Sequence, residues 1–137
     1  MISLDPFDTN VWSELTKPNP NPRVRDFLIE NDDQLWLSVV VIAEIRRGLE
    51  MPKAHHRRDA LLGWLSGLEA NYAKRILDFD ADMAHLFGAL LAQRTGEATL
   101  LDLQIAAQAM ARDCLLATRN VKDFAWTGVQ VVNPWEG

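Results

Sequence analysis

The chain has 137 residues, of which 48% are hydrophobic and 24% are charged, with a formal net charge of −5. This composition is typical of a globular protein with a hydrophobic core, and the length predicts a single domain over residues 1–137. The acidic balance excludes a protein that coats nucleic acid by bulk charge. No apolar run approaches the roughly 20 residues of a membrane span, and no signal-peptide pattern opens the chain, which predicts a cytoplasmic protein without a membrane contact.

Short apolar runs alternate along the chain with longer segments of helical period, which is typical of βα units and a mostly parallel sheet. The first strand precedes Asp8, and Pro6, which has no N–H to donate, requires that strand to be very short or bulged. A helix is predicted from Pro22, because proline suits a first helical position. The other strands are predicted over 35–39, 75–79, 114–118 and 129–133, and the other helices over 40–50, 57–69, 81–95 and 102–112.

Polar residues follow the first predicted strand in "FDTNVWSEL", where Asp8, Thr9 and Asn10 lie between an apolar start and a helix. Asp and Asn are common turn residues at such junctions, because they hydrogen-bond their own backbone. The same carboxylate could instead bind a metal ion. The metal-site interpretation of Asp8 is favoured only if other acids occupy comparable places in the chain.

Glu44 is the second such acid, in "LWLSVVVIAEIRRG". On a helix it shares a face with Val40 and Val41, while Arg46 and Arg47 take the polar face. Glu44 is therefore predicted to point inward. A buried carboxylate is costly unless it is paired or binds a metal, so an ion pair with a nearby arginine is the alternative to a metal site.

Asp102 is the third acid, in "TLLDLQIAAQAMARD". It shares a helical stripe with Ile105 and Ala109 and lies near the helix start, where it could serve as a cap. Thr99 is an equally available cap, which leaves Asp102 open to another role. The polar residues predicted on the opposite side of this helix are Gln104, Gln108 and Arg112.

Polar residues also follow the strand in "LLATRNVKDF", which ends in Thr118, Arg119 and Asn120. In open α/β sheets, ligands bind outside the carboxyl ends of the strands. Three carboxylates and an amide that converge there would repel one another unless a divalent cation neutralised them. Oxygen ligands without His or Cys favour Mg²⁺ or Mn²⁺ over zinc.

Taken together, "DTNVWSEL", "LSVVVIAEIRRG", "DLQIAA", "LATRNVKDF" and a terminal "NPW" resemble the PIN-domain ribonucleases, and among them the VapC/FitB-like toxins of bacterial toxin–antitoxin pairs. The resemblance covers nearly the whole chain, with the motifs in the family's order and spacing. It implies an α/β fold, the PIN-like three-layer arrangement in which helices flank a mostly parallel central sheet.

The resemblance also implies a Mg²⁺- or Mn²⁺-dependent endoribonuclease that cleaves RNA phosphodiesters to leave a 5′-phosphate and a 3′-hydroxyl. The family's acidic positions fall on Asp8, Glu44 and Asp102, and its fourth falls on Asn120, an amide. Asp8 and Asp102 are the implied metal ligands, Glu44 would orient or deprotonate a water, and Asn120 would position it. The implied hydrogen-bond partners of these side chains are Asn10, Ser38 and Thr118.

The family's partners are an RNA substrate, a cognate antitoxin and a second copy of the chain, and five tryptophans exceed what a small core must bury. Seven of the 14 Lys and Arg lie between Arg46 and Arg75. Those near Arg46 to Arg58, with Arg119 and Lys122, are predicted to hold RNA or an acidic antitoxin segment, although a solvated helix face is the alternative. A PIN-like binding module that acts through an antitoxin or RNA without turnover is the other function that this sequence allows.

Several remaining side chains are candidates that the resemblance does not use. His55 and His56 are predicted to face solvent, and His85, among apolar neighbours, to pack in its helix. Asp123 lies close to Asn120 and either supports the site or serves as a turn residue. The single cysteine, Cys114, lies in the apolar run "CLLAT" and is predicted to be a core thiol.

Overall fold

The computed structural model describes residues 5–6 and 9–136, with side chains from residue 11 onward. Short strands alternate with helices along this part of the chain. The strands are β1 (Asp5–Pro6), β2 (Leu35–Ser38), β3 (Ile76–Leu77), β4 (Leu116–Ala117) and β5 (Val131–Val132). The α-helices are α1 (Thr9–Ser13), α2 (Pro22–Glu30), α3 (Val39–Leu49), α4 (Arg58–Asn71), α5 (Ala81–Ala92), α6 (Leu100–Ala111) and α7 (Val121–Phe124).

All the strand pairs in the described residues are parallel. β1 pairs with β2, β2 pairs with β3, and β4 pairs with β5. Because the carboxyl ends of parallel neighbours meet at one edge, β1, β2 and β3 end together, and β4 lies beside β1. The predicted mostly parallel sheet flanked by helices is confirmed. In the described part of the chain, β1 comprises Asp5 and Pro6, which pair with Leu35 and Trp36. The residues on either side of this pair lie outside the described residues, so a strand that is very short or bulged stays a prediction.

Polar side chains cap the starts of α2, α3, α5 and α6. Asn21 Oδ1 accepts a hydrogen bond from the Arg23 N–H at 2.9 Å, so α2 starts at Pro22 as predicted. Thr99 caps α6, which therefore starts at Leu100, two residues before the predicted start. A side-chain oxygen at the cap satisfies an N–H that the first helical turn leaves without a backbone partner.

The hydrophobic core lies between the sheet and the helices that cover it. Leu35 and Leu37 of β2 and Leu116 of β4 are fully buried, and Ile105 of α6 packs into the same cluster. Cys114 is 5% exposed and contributes to this core, which confirms the predicted core thiol. Among the described residues, no helix has both the length and the apolar character needed to cross a membrane.

Candidate active site

The first predicted acid, Asp8, lies outside the described residues, and so does the side chain of Asn10. In the chain, Asp8 falls between the end of β1 at Pro6 and the start of α1 at Thr9. The structure therefore describes the elements on either side of Asp8 in the chain. It gives no contact of the Asp8 carboxylate itself.

Glu44 lies on α3, the helix that follows β2 directly. It is half-buried, and its Oε1 atom is inaccessible to solvent, as expected for a side chain that points inward beside Val40 and Val41. The arginine nearest to it in sequence on the polar face is engaged elsewhere, because Arg46 Nε lies 2.9 Å from Glu50 Oε2. Glu44 thus brings a carboxylate to the interior side of α3.

Asp102 is half-buried in the first turn of α6, where it completes a capping box with Thr99. The Asp102 N–H donates to Thr99 Oγ1 at 3.1 Å, and Asp102 Oδ2 accepts from the Thr99 N–H at 3.2 Å. The prediction that Asp102 could serve in a helix cap is therefore correct for its Oδ2 atom. The box does not use Oδ1 of Asp102.

Asn120 follows β4 and is exposed together with Arg119. Its N–H donates to Oγ1 of the fully buried Thr118 at 3.0 Å, and its carbonyl accepts from the Asp123 N–H at 3.0 Å. The second bond closes a turn, which agrees with the prediction that Asp123 is a turn residue. Arg119 and Asn120 separate two concavities of about 380 and 280 Å³.

The fold brings together the elements that carry the predicted side chains. Helix α6 packs against α3 and against β1, and β4 lies beside β1. Between residues 11 and 136, whose side chains the structure describes, no three His, Cys, Asp or Glu side chains form a group that could hold a metal. The predicted ligand pair includes Asp8, which lies outside that range. Oxygen donors on Glu44 and Asp102 suit a hard divalent cation.

A family model, the PIN domain, matches residues 7–127 of the chain. The chain belongs to the PIN-domain family. It is 35% identical to "VapC ribonuclease Y4jK" of Sinorhizobium fredii over 134 residues, which cover 94% of this chain and 96% of the relative. It is also 35% identical to "Toxin FitB" of Neisseria gonorrhoeae, over 93% of this chain and 96% of that protein. These relatives place it among the VapC/FitB toxins.

Solved structures agree with this PIN-domain assignment. FitAcB from Neisseria gonorrhoeae superposes with a TM-score of 0.87 at 30% identity, covering 98% of this chain and 100% of that one. A toxin–antitoxin complex from Klebsiella pneumoniae superposes with a TM-score of 0.69 at 27% identity, covering 95% and 97% of the two chains. The predicted PIN-like fold is thereby confirmed.

Sequence reasoning placed Gln108 of this PIN domain wrongly. It was predicted on the polar side of α6 with Gln104 and Arg112, yet its side chain is fully buried. Its amide bonds to Ser38 at the end of β2 and to backbone carbonyls at the end of β3. The available signal was its position between the small residues Ala107 and Ala109, inside an otherwise apolar run.

Glu14 is a second residue that sequence reasoning missed. It is 5% exposed, its Oε1 lies 2.8 Å from Lys17 Nζ, and its Oε2 accepts from the Asn21 N–H at 2.8 Å. The bond to Lys17, the Asn21 N–H and the nearby charge of Arg119 hold the pKa of Glu14 below its usual value. The Arg119 guanidinium in turn lies 5.3 Å from the centre of the Trp135 ring. These contacts join both ends of the chain beside Asn120.

The exposure of the histidines partly differs from the prediction. His55 and His56 are exposed, as predicted, in the turn before α4. His85 is also exposed, so its predicted packing is wrong. Its apolar neighbours in sequence indicated burial, but α5 covers α6 with one face only and leaves His85 on the other side.

Two arginines of the basic segment are already engaged with an acid. Glu50 Oε1 lies 2.8 Å from Arg58 Nε, and Glu50 Oε2 lies 2.9 Å from Arg46 Nε. The hydrogen bonds from Arg58 and Arg46 lower the pKa of Glu50 to about 2. This part of the basic segment is therefore a paired cluster, and less of its positive charge is available to RNA than the sequence indicated.

Proposed function

We propose that this chain is the toxin of a toxin–antitoxin pair, a cytoplasmic single-domain endoribonuclease that uses Mg²⁺ or Mn²⁺ to cleave RNA phosphodiesters. The observation that carries the proposal is the packing of α6, with Asp102 in its first turn, against both α3, which carries Glu44, and β1, which leads to Asp8. The similarity to a protein named as a VapC ribonuclease supports the same activity.

Asp8 and Asp102 are the proposed metal ligands. Asp102 suits this role because its capping box uses Oδ2 and leaves Oδ1 for a ligand. A bound divalent ion would supply positive charge to the scissile phosphate and lower the pKa of a water at the site. Ser38 and Thr118, both fully buried, are proposed to hold the surrounding backbone, and Asn10 is proposed to assist Asp8.

Glu44 is the proposed general base, and its half-buried carboxylate can accept a proton from the attacking water. The water oxygen bonds to phosphorus, the bond from phosphorus to the 3′-oxygen breaks, and that oxygen takes up a proton. The products are a 5′-phosphate and a 3′-hydroxyl. Asn120 is exposed shortly after β4, and its side-chain amide would orient the water or a phosphate oxygen.

Arg119 and Lys122 are better placed than Arg46 and Arg58 to hold the RNA backbone. Both are exposed and flank Asn120, whereas Arg46 and Arg58 pair with Glu50. Phosphate contacts of this kind position RNA without reading its sequence. The net charge of −5 means that such contacts must be local.

Cleavage assays test the proposed activity. Asp8→Asn, Glu44→Gln and Asp102→Asn should each abolish Mg²⁺-dependent cleavage of RNA, while Asp82→Asn, an acid in the first turn of α5, should leave it unchanged. A PIN-like binding module would instead protect RNA from an added nuclease without cutting it. Protection by the wild-type chain at saturating Mg²⁺, with no new 5′-phosphate ends, would establish that alternative.

The proposed antitoxin site is a groove of about 710 Å³ between α1, α2 and α4. Trp12 and Leu28 line it, and Ile29 is 68% exposed. At its polar side the Tyr72 hydroxyl donates to Asp32, and burial with this bond raises the pKa of Tyr72. An apolar groove with a polar margin suits an amphipathic segment of a partner protein.

A homodimer is also proposed, and the tryptophans do not identify its interface. None of the five tryptophans is in the exposed class. The exposed apolar surface is elsewhere and includes Leu91 on α5, at 37% exposure, and Leu100 at the start of α6, at 51%. A stable pair of chains buries roughly 1,600 Å² in total, and the free face of α5 is the proposed place.

Two aspartate substitutions separate the two proposed interfaces. Ile29→Asp should remove binding to the protein encoded by the neighbouring reading frame and leave a dimeric mass by light scattering. Leu91→Asp should give a monomeric mass by light scattering and leave binding to that protein intact. If both variants kept both properties, the assignments of the groove and of the α5 face would be wrong, while the cleavage assay would be unaffected.

A further inference from the structure

Gln108 occupies a position where an apolar side chain would be the ordinary choice. It lies in the second half of α6, between Ala107 and Ala109, and all three residues are fully buried. A buried amide costs free energy unless its N–H and C=O groups find partners. The presence of glutamine therefore requires a set of buried hydrogen-bond partners.

The structure provides those partners from two strands. Gln108 Nε2 donates to the carbonyl of Leu77, the last residue of β3, at 3.2 Å, and to that of Asp78 at 2.9 Å. Gln108 Oε1 accepts from Ser38 Oγ, at the end of β2, at 2.5 Å. Three hydrogen bonds thus join one side chain of α6 to the carboxyl ends of β2 and β3.

The chemistry of the groups fixes the direction of each bond. Backbone carbonyls can only accept, so the NH₂ group must face Leu77 and Asp78, and Oε1 must face Ser38. The Ser38 hydroxyl then donates to Gln108, and its oxygen accepts the Val40 N–H at 3.0 Å, which caps α3. The opposite amide orientation would place two acceptors against each other.

This arrangement connects the two helices that carry the proposed site acids. Ser38 caps the first turn of α3, and Glu44 lies one turn further along the same helix. Gln108 fixes α6, whose first turn carries Asp102. Gln108 itself is fully buried and lies six positions after Asp102, so it is not one of the proposed metal-binding or catalytic residues. Any effect on the site must pass through the position of the helix.

We propose that Gln108 is a positioning residue, whose hydrogen bonds to Ser38, Leu77 and Asp78 set the placement of α6, and hence of Asp102, relative to Glu44. The inference rests on the proposed function for the identity of the acids. A core-filling role alone does not account for the amide, because Met or Leu would fill a similar volume without polar atoms to satisfy.

The test compares Gln108→Met with Gln104→Met, a matched change on a half-buried glutamine of the same helix. Mn²⁺ binding without RNA, measured by calorimetry, should weaken about 10-fold or more in Gln108→Met and stay unchanged in Gln104→Met. The kcat for RNA cleavage should fall with little change in KM. Leu65→Ala, in the core on α4, controls for lowered stability and should leave Mn²⁺ affinity unchanged.

Ser38→Ala provides the second variant, because it removes the hydroxyl that donates to Gln108 and that also caps α3 by accepting the Val40 N–H. It should weaken Mn²⁺ binding on its own. Added to Gln108→Met, Ser38→Ala should weaken Mn²⁺ binding by less than it does in the wild-type chain, because the bond to Gln108 is already lost and only the cap of α3 remains to be removed. Should Gln108→Met not fold, Ser38→Ala decides. Wild-type Mn²⁺ affinity in either folded variant would overturn the proposal.

The outcomes also separate this inference from the proposed function. If the wild-type chain binds Mn²⁺ but does not cut RNA, the endoribonuclease proposal fails, and the Mn²⁺ affinities of the variants still decide the role of Gln108. If the wild-type chain cuts RNA and Gln108→Met does so with unchanged kcat and Mn²⁺ affinity, only the role of Gln108 fails. If the wild-type chain binds neither Mn²⁺ nor Mg²⁺, the proposed metal site and the role of Gln108 both fail.

Discussion

Asp102 combines a role at the helix start with a proposed role as a metal ligand, and two substitutions should separate them. In Asp102→Asn the remaining side-chain oxygen can still accept the Thr99 N–H, so the capping box survives. The lost charge removes about 0.3–1 kcal/mol of favourable interaction with the helix N-terminus, and relief of repulsion from the other acids opposes this loss. Asp102→Asn should therefore change stability by less than about 1 kcal/mol while it abolishes Mn²⁺ binding and cleavage.

Asp102→Ala should abolish the same activities but also lose the acceptor for the Thr99 N–H. A lost cap costs about 1 kcal/mol, so Asp102→Ala should be less stable than Asp102→Asn by that amount in urea unfolding without metal. Asp82→Asn, in the first turn of α5, controls for the loss of a charge at a helix start. Wild-type cleavage by Asp102→Asn at saturating Mg²⁺, with an unchanged circular dichroism spectrum, would refute the proposed ligand.

Four further substitutions, at three positions, test polar and charged side chains elsewhere in the molecule. The pKa of Glu14 is held below its ordinary value of 4.5, so its stabilising contribution is complete above about pH 4.5 and is lost as the pH falls through the folded-state pKa. Glu14→Gln should thus be less stable at pH 7 and lose less stability on acidification, as urea midpoints across pH 3–7 would show. Glu50→Gln frees Arg46 and Arg58 and should steepen the salt dependence of RNA binding in filter-binding assays; an unchanged slope would place RNA away from this face. Asn120→Asp adds a carboxylate and should shift cleavage to lower Mg²⁺ concentration, by an amount worth about 1 kcal/mol, whereas Asn120→Ala should slow cleavage; superimposable Mg²⁺ titrations would exclude residue 120 from the site.

The order and type of the elements could be predicted from the sequence because the local pattern determines them. The helix at Pro22 has both a proline that suits its first position and an asparagine that caps it. The strand at Leu35–Ser38 is an apolar run that ends in a polar residue. The other strands are shorter than predicted, because only residues with a paired neighbour count as strand, and the pattern does not reveal how far a neighbour extends.

The contacts between distant residues could not be predicted. Gln108 looked like a surface residue, because its partners are two carbonyls about 30 positions earlier in the chain, at the end of β3. His85 looked buried, because the sequence shows that α5 is apolar but does not show which of its faces another helix covers. Glu14 gave no signal, since its buried contacts with Lys17 and the Asn21 N–H depend on how the chain turns after α1.

The cap role of Asp102 and its proposed role as a ligand are compatible, because the capping box uses one oxygen of the carboxylate. A helix that follows a parallel strand begins where that strand ends, so its polar cap lies at the edge where ligands of α/β proteins bind. Ser38 shows this directly, because it ends β2 and caps α3. Asp102 places Oδ2 in the capping box, while Oδ1 lies outside the box and is the oxygen that the proposed metal ligation would use. The N–H groups of the first turn also favour negative charge, which offsets part of the repulsion among acids gathered there. A carboxylate at such a helix start therefore costs less than the same carboxylate elsewhere in the interior, which gives a physical reason for the place of Asp102 in the first turn of α6.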